Sequence, residues 1–246
     1  MSGTTTSTAA SNAKKMAWLP IAIFSAAQFV MILDSSVMNV SITEIVKDLN
    51  TTIAGVQLAI TAYTLVMAAF MLVGAKLGDI FGREKIFAIG LCVYGLGSLT
   101  TSLSPNLTVL LIGWSLIEGF GAAMVMPAIV SQIAATYEGK QRALAFGVIG
   151  GITGVAIAAG PLIGGFITTE FSWRYVFAGE TVIVIIILIV RHWLKKAPRS
   201  EHKPKFDGFG VLLSSLGLAL AVFGILKSSD WGWIKPRGAL TIEIGR

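Results

Sequence analysis

Long apolar stretches alternate with short polar segments along the chain from residue 17 onward. Each stretch reaches the roughly 18 residues or more that an α-helix needs to cross a hydrocarbon core of about 30 Å. A surface helix of a soluble domain would instead show a narrow apolar stripe with a period of 3.6 residues. The pattern predicts seven membrane-spanning helices, near residues 17–42, 53–75, 86–103, 107–130, 143–167, 175–194 and 209–226.

Short connections between these stretches predict a single bundle in which each helix satisfies its own backbone hydrogen bonds. The fold class is therefore an all-α polytopic membrane protein. We divide it into a disordered cytoplasmic tail (1–16), a six-helix bundle (17–194), a basic cytoplasmic loop (195–207), a seventh helix (208–226), and an extracytoplasmic segment with the start of a further span (227–246). A cleaved signal peptide is a less favoured alternative for the first span, because six more spans follow.

The distribution of Lys and Arg predicts the orientation, since cytoplasmic loops carry the excess of positive charge. With the N-terminus in the cytoplasm, only Lys47 and Arg174 lie in the opposite loops of the first six spans. We therefore expect a multi-pass plasma-membrane protein whose net charge of +6 reflects cytoplasmic loops and not a nucleic-acid partner. The basic run at 191–205 can also bind anionic lipid headgroups, although a solvated loop that follows the positive-inside rule is the favoured interpretation.

Few side chains suited to enzyme chemistry occur in the sequence. The single cysteine, Cys92, cannot form an internal disulfide, and the two histidines, His192 and His202, both lie in or beside the basic loop. This composition argues against a metal centre, a nucleophile–histidine pair and a bound cofactor. We predict that the protein is not an enzyme.

Two acidic residues, Asp34 and Glu118, fall deep inside predicted spans. Ionisable groups are costly in hydrocarbon, and they commonly mark ion or substrate pathways. Removal from water favours the protonated form of a carboxyl group, so an acid that faces each side of the membrane in turn can carry a proton. Polar residues on the first two spans predict a lined cavity, although such residues also join helices passively. The candidate lining residues are Gln28, Asn39, Gln57 and Thr61.

The fifth predicted span repeats small residues every three or four positions in GVIGGITGVAIAAGPLIGG. Small residues let helix backbones approach closely, and proline removes a helical hydrogen bond, which favours a bend. A close helix–helix contact that can bend is compatible with a carrier whose halves move relative to each other. It is equally compatible with passive packing. The candidate residues of this glycine motif are Gly154, Gly160, Pro161, Gly164 and Gly165.

The segment between the second and third spans sets an acid and a base on either side of a glycine. Asp79 lies near the end of one helix, Arg83 lies near the start of the next, and Gly82 permits the tight turn between them. The two charges can pair with each other or with facing helix ends. We expect these three residues to form a cytoplasmic gating loop.

Five stretches in order resemble the major facilitator superfamily, specifically the N-terminal half of its fourteen-helix drug:proton antiporters. The gating loop resembles the superfamily's signature loop, GPLIGG resembles the antiporter motif, and LDSSVMNVSI is similar to the first-span motif. WRYVF and FDGFGVLLSSLGLAL also resemble that branch. The resemblance implies a major-facilitator-type bundle consisting of one six-helix half plus one further helix.

This sequence departs from the family pattern in the fourth and sixth spans. Trp114 stands where these exporters carry an arginine linked to proton transfer, and we assign it to the cavity lining. Glu118 stands where a glutamine is typical, and AGET near the sixth span leaves Glu180 close to the membrane. We therefore expect Asp34 and Glu118 to share proton coupling and cation recognition. A protonated Glu118 that merely joins two helices is the alternative.

The resemblance implies proton-coupled efflux of small lipophilic compounds. No Lys or Arg lies deep in the first six spans, so we expect cationic or neutral substrates and not anionic ones. A complete carrier of this type has about twelve to fourteen spans, which predicts a missing C-terminal half in the same or another chain. A small-solute importer and a non-transporting membrane interaction protein are the alternatives.

Overall fold

The computed structural model describes residues 17–193 and 208–231. The predicted tail (1–16), the basic loop (195–207) and the end of the chain (232–246) lie outside the described residues. Within the described ranges, seven helices are long and apolar enough to cross a membrane. They are Trp18–Val40, Ile53–Phe81, Arg83–Ser102, Leu107–Thr136, Gly139–Glu170, Trp173–Val190 and Gly208–Leu226. The all-helical membrane fold predicted from the apolar stretches is confirmed.

The helices begin and end at well-defined residues. The order is α1 (Trp18–Val40), α2 (Ile42–Asp48), α3 (Ile53–Phe81), α4 (Arg83–Ser102), α5 (Leu107–Leu110), a π-helical segment (Leu111–Glu118), α6 (Gly119–Thr136), α7 (Gly139–Glu170), α8 (Trp173–Val190), a 3₁₀ turn (Arg191–Trp193) and α9 (Gly208–Trp231).

Several helices extend beyond the apolar stretches that predicted them. The chain at 74–87 is helical except at Gly82, so α3 and α4 meet at a one-residue turn. Gly82 has φ +104°, a backbone conformation that disfavours any residue with a Cβ. The hydropathy pattern missed these extensions because charged residues are tolerated where helices leave the hydrocarbon.

The α1–α7 interface depends on two residues of the glycine motif. A Cβ on Gly160 would overlap Ser36, and a Cβ on Gly164 would lie 2.5 Å from Val37 Cγ2. Gly154 and Gly165 have no such neighbours, and Pro161 lies exposed within a helix that continues through it. Among the described residues, only part of the motif therefore forms a packing seam.

Glycines also bring α4 close to its neighbours on two faces. A Cβ on Gly97 would lie 2.6 Å from the Glu118 backbone nitrogen, and one on Gly95 would lie 3.0 Å from Val184 of α8. The fourth and sixth spans can approach α4 this closely because no side chain stands between them.

Charged residues join three elements at the end of the bundle where α4 stops and α8 starts. The Arg174 guanidinium donates to Asp48 Oδ2 (2.9 Å) and to the backbone carbonyls of Ser102 (3.1 Å) and Ser104 (2.5 Å). The same group lies 4.5 Å from the centre of the Trp173 ring, whose Nε1–H donates to Asp48. We call this group of residues the Arg174 cluster, and it holds α2, α4 and α8 together.

Candidate functional site

Three acidic side chains from three different spans meet inside the bundle. Asp34 comes from α1, Glu118 from the end of the π-helical segment, and Glu180 from α8. One carboxyl oxygen from each lies within 4.8 Å of those of the other two, and each residue is at most 1% exposed. We call these three residues the carboxyl cluster. In the part of the chain that the structure describes, the ion pairs formed by Lys and Arg involve other acids.

Local structure of the fourth span positions Glu118. Residues Leu111–Glu118 form a π-helical segment, a wider helical turn often found at functional sites. The Ser115 hydroxyl anchors this segment by donating to the Ala59 carbonyl of α3 (2.8 Å). On the opposite side, Gly97 leaves room for the Glu118 backbone. Glu118 is therefore held between α3 and α4, next to Asp34.

Trp114 supplies a hydrogen-bond donor to the carboxyl cluster. Its Nε1–H donates to Asp34 Oδ1 (2.9 Å) and Oδ2 (3.1 Å). Its ring stacks on Tyr63, with centroids 4.6 Å apart and planes 10° apart. The indole adds no positive charge, so the acids stay without a cationic partner at this position.

The other carboxyl oxygens of the cluster lack comparable partners. Neither oxygen of Glu118 or Glu180 has a hydrogen bond of good geometry within the described residues, nor do the hydroxyls of Tyr94 and Ser98. Both hydroxyl groups lie beside both glutamates. An ionised carboxylate buried without a partner is very costly, so a proton or a bound cation is needed to neutralise these groups.

Most of the predicted lining residues make their polar contacts elsewhere. Trp114 bonds to the cluster, whereas the Gln28 amide donates to a threonine hydroxyl on α7 (3.3 Å). The Asn39 amide donates to a carbonyl of its own helix (2.7 Å). Gln57 is exposed and Thr61 is half-buried. Their part in a substrate cavity stays a prediction.

The predicted gating residues are in contact with one another. Arg83 donates through Nη2 to Asp79 Oδ1 (3.3 Å) and through Nη1 to the Ser131 carbonyl of α6 (3.1 Å). The turn at Gly82 brings the acid and the base to the same side. This group joins α3, α4 and α6 at the end of the bundle opposite the Arg174 cluster.

Sequence reasoning did not assign Glu180 to the site. The residue stands only a few positions into the predicted sixth span, which suggested a place near the membrane surface. The helix begins at Trp173, so Glu180 lies two turns inside it. The cost of an acid in a span, which singled out Asp34 and Glu118, was the signal available for Glu180 as well.

We expect Gly97→Ala to destabilise the protein. The new methyl group would meet the Glu118 backbone at 2.6 Å, and overpacking of this kind costs about 1–3 kcal/mol. Gly179→Ala is the matched control, because no atom of the residues that the structure describes lies within 4 Å of its added Cβ and alanine is the better helix former. Thermal unfolding in detergent checks this: equal midpoints for the two variants would show that α4 does not limit the position of Glu118.

Comparison with known proteins identifies the class of this helical bundle. Residues 24–234 match the Major Facilitator Superfamily. The puromycin resistance protein pur8 of Streptomyces alboniger is 31% identical over 93% of this chain and 45% of its own length. The tetracenomycin C resistance and export protein of Streptomyces glaucescens is 27% identical over 92% of this chain and 42% of its own. A crystal structure of the peptide transporter POT in complex with sulfate has a TM-score of 0.67 at 12% identity, over 88% of this chain and 47% of that chain.

The chain is thus a polytopic membrane protein by class, and it belongs to the major facilitator superfamily. The relatives named for antibiotic resistance and export support its placement in the drug-efflux branch. The likeness to the peptide transporter concerns the fold alone. The chain spans less than half the length of the relatives given above.

Proposed function

We propose that this chain is the N-terminal half of a carrier that exports small lipophilic compounds, cationic or neutral, in exchange for protons. The observation that carries this proposal is the meeting of Asp34 and Glu118 inside the bundle, with no Lys or Arg bonded to either among the described residues. Relatives named for resistance and export support the direction of transport. No cofactor is required, because the proton is the coupling ion.

The buried acids bind either protons or a cationic substrate. Positive charge on a substrate can replace the protons that neutralise Asp34 and Glu118. Binding of protons from outside then releases the substrate, and loss of those protons to the cytoplasm restores the empty site. Because protons and substrate compete for one site, binding of either lowers the affinity for the other. Their transport is therefore coupled without direct contact between them.

Proton movement supplies enough free energy for this exchange. Each proton that moves inward contributes about 2.3 kcal/mol per 100 mV of membrane potential and about 1.4 kcal/mol per pH unit. One proton therefore supports roughly a hundredfold gradient of a neutral substrate at 100 mV and a modest pH difference. This is adequate for an exporter of toxic compounds.

The Asp79–Arg83 contact is a latch on the cytoplasmic side. It joins α3 and α4 to α6 through the Ser131 carbonyl, so these helix ends move together while the contact lasts. Opening of that side would break it at modest cost, because both side chains are 39% exposed.

The orientation follows the distribution of positive charge, with the N-terminus in the cytoplasm and the carrier in the plasma membrane. The partners are then the lipid bilayer, protons, a small-molecule substrate and a C-terminal half in the same or another chain. Face-to-face association with that half would cover Gly154 and Pro161, which are the exposed residues of the glycine motif, and the half-buried Gly165.

Transport in everted membrane vesicles tests the proposal. One preparation contains this chain alone, and the other contains it together with the segment that the genome encodes directly downstream. We expect uptake of tetraphenylphosphonium into the second preparation, with collapse of the uptake when an ionophore dissipates the proton gradient. Uptake that persists after addition of the ionophore would contradict proton coupling. Absence of uptake in both preparations would favour a non-transporting membrane interaction protein.

A further inference from the structure

We propose that Glu180 is a third proton-binding acid of the carboxyl cluster, and that Asp34, Glu118 and Glu180 together hold two protons that are exchanged in one transport cycle. The inference rests on the proposed function, because it concerns the same buried site. It adds a residue from the sixth span and sets the number of coupling protons. Neither follows from the two acids that the sequence analysis selected.

Geometry makes the three acids one site and not three separate ones. Their nearest oxygens lie within 4.8 Å of one another. Like charges at such a distance in a water-free interior repel strongly, so carboxyl groups that share a site do not all ionise together. Protons bound here belong to the cluster as a whole, and their number is a property of the three residues together.

Unpartnered hydroxyl groups give an independent reason to place bound protons at Glu118 and Glu180. Tyr94 and Ser98 are fully buried, lie beside both glutamates and lack hydrogen bonds of good geometry among the described residues. A hydroxyl accepts a hydrogen bond from a protonated carboxyl group and donates one to an ionised group. Both protonation states of either glutamate can therefore be accommodated without rearrangement of the helices.

Among the described residues, no positively charged side chain faces the carboxyl cluster. The ionisable groups that face it are Tyr63 from α3 and Tyr94 from α4. Trp114 shares its single N–H between the two oxygens of Asp34, and neither glutamate of the cluster receives it. That bond favours Asp34 as the carboxylate. We therefore assign the negative charge to Asp34 and the two protons to Glu118 and Glu180.

A second proton changes what the carrier can do. If one proton supports roughly a hundredfold gradient of a neutral substrate, two support roughly a ten-thousandfold gradient. Two protons also match the charge of a substrate with two cationic groups, so such a substrate can be exchanged with no net movement of charge. The site can therefore exchange dications as well as monocations.

Infrared spectroscopy of the purified full-length chain in lipid nanodiscs tests the assignment. The carbonyl stretching band of protonated carboxyl groups is measured at neutral pH for the wild type, Glu118→Gln, Glu180→Gln and Glu170→Gln. Glu170 is exposed at the end of α7, so its variant is the matched control. We expect Glu180→Gln to lose about half of the band, because a pair of neighbouring acids then shares one proton. The control band is expected to stay unchanged.

Each other outcome has a definite meaning. A band that falls in Glu118→Gln but not in Glu180→Gln overturns the inference and leaves the proposed proton exchange intact. A band unchanged in both variants contradicts the inference and the proton site of the proposed function together. Loss of the wild-type band on addition of NaCl or CaCl2, but not of choline chloride, assigns the site to a metal cation instead and overturns the inference. If Glu180→Gln does not fold, the calibrated wild-type band decides, since one proton per chain or fewer is incompatible with two.

Discussion

Replacing Glu118 with glutamine is expected to lower the proton-driven substrate gradient of the complete carrier roughly a hundredfold, because one coupling proton is lost. Glutamine keeps the size and polarity of the side chain but cannot take up or release a proton. The fold is expected to survive, because neither carboxyl oxygen of Glu118 has a hydrogen bond of good geometry in the described structure to lose. The measurement is the steady-state gradient of tetraphenylphosphonium in everted vesicles.

Glu170→Gln is the control for this experiment. It makes the same chemical change at an exposed position on α7, so the gradient should remain at the wild-type value. Thermal unfolding of both variants separates a loss of coupling from a loss of folded protein. Undiminished proton-dependent accumulation by Glu118→Gln would mean that Glu118 joins helices and carries no proton.

Replacing Arg174 with methionine is expected to lower the free energy of unfolding by about 2–3 kcal/mol. The guanidinium donates to Asp48 and to the carbonyls of Ser102 and Ser104, and hydrogen bonds from charged donors contribute about 1.5–3 kcal/mol each in favourable cases. Partial exposure of Arg174 and Asp48 reduces the total. Denaturant-induced unfolding in mixed micelles measures the change.

Lys47→Met provides the comparison for Arg174, because it also removes one positive charge near the same end of the bundle. Lys47 pairs with Glu44 on the surface, where its side chain is 66% exposed. Exposed pairs of this kind contribute about 0–1 kcal/mol. Losses of similar size for the two variants would show that the Arg174 cluster does not hold α2, α4 and α8 together.

Much of the fold was predictable because the lipid environment restricts the backbone conformations that a membrane-spanning segment can adopt. A chain segment in hydrocarbon must satisfy its own hydrogen bonds, so a sufficiently long apolar stretch becomes a helix whatever its neighbours are. The turn at Gly82 was predictable for a different reason, since glycine adopts backbone conformations that residues with a Cβ disfavour, and this glycine lies between two predicted helix ends. Predicting where α3 and α7 end was harder, because the membrane surface tolerates both polar and apolar residues.

The carboxyl cluster was only partly predictable because it depends on how the helices are rotated and spaced. Asp34 and Glu118 are each identifiable as acids within a span, but nothing in the sequence states that they meet. Their meeting follows from the small residues of α4 and from the π-helical segment, which changes the direction of Glu118 within its helix. Glu180 was missed because its depth depends on where α8 begins.

The role of Trp114 shows a different limit of sequence reasoning. Resemblance to the exporters indicated only that an arginine is absent. The structure places the indole in a hydrogen bond to Asp34 and in a stack on Tyr63. Because the indole is neutral, a proton or a bound cation must balance the negative charge of the acids, and either of these can dissociate. The positive charge of an arginine at this position could not dissociate.

The contact between Gly97 and Glu118 means that the two positions cannot be altered independently. An exporter with a larger residue at the position equivalent to 97 could not accept this fourth-span backbone without moving it. Transplanting the acid into such a relative therefore requires the glycine as well. A sequence search for chains with the same site should use the pair, a glycine in the third span and a glutamate in the fourth, as a single two-part signature.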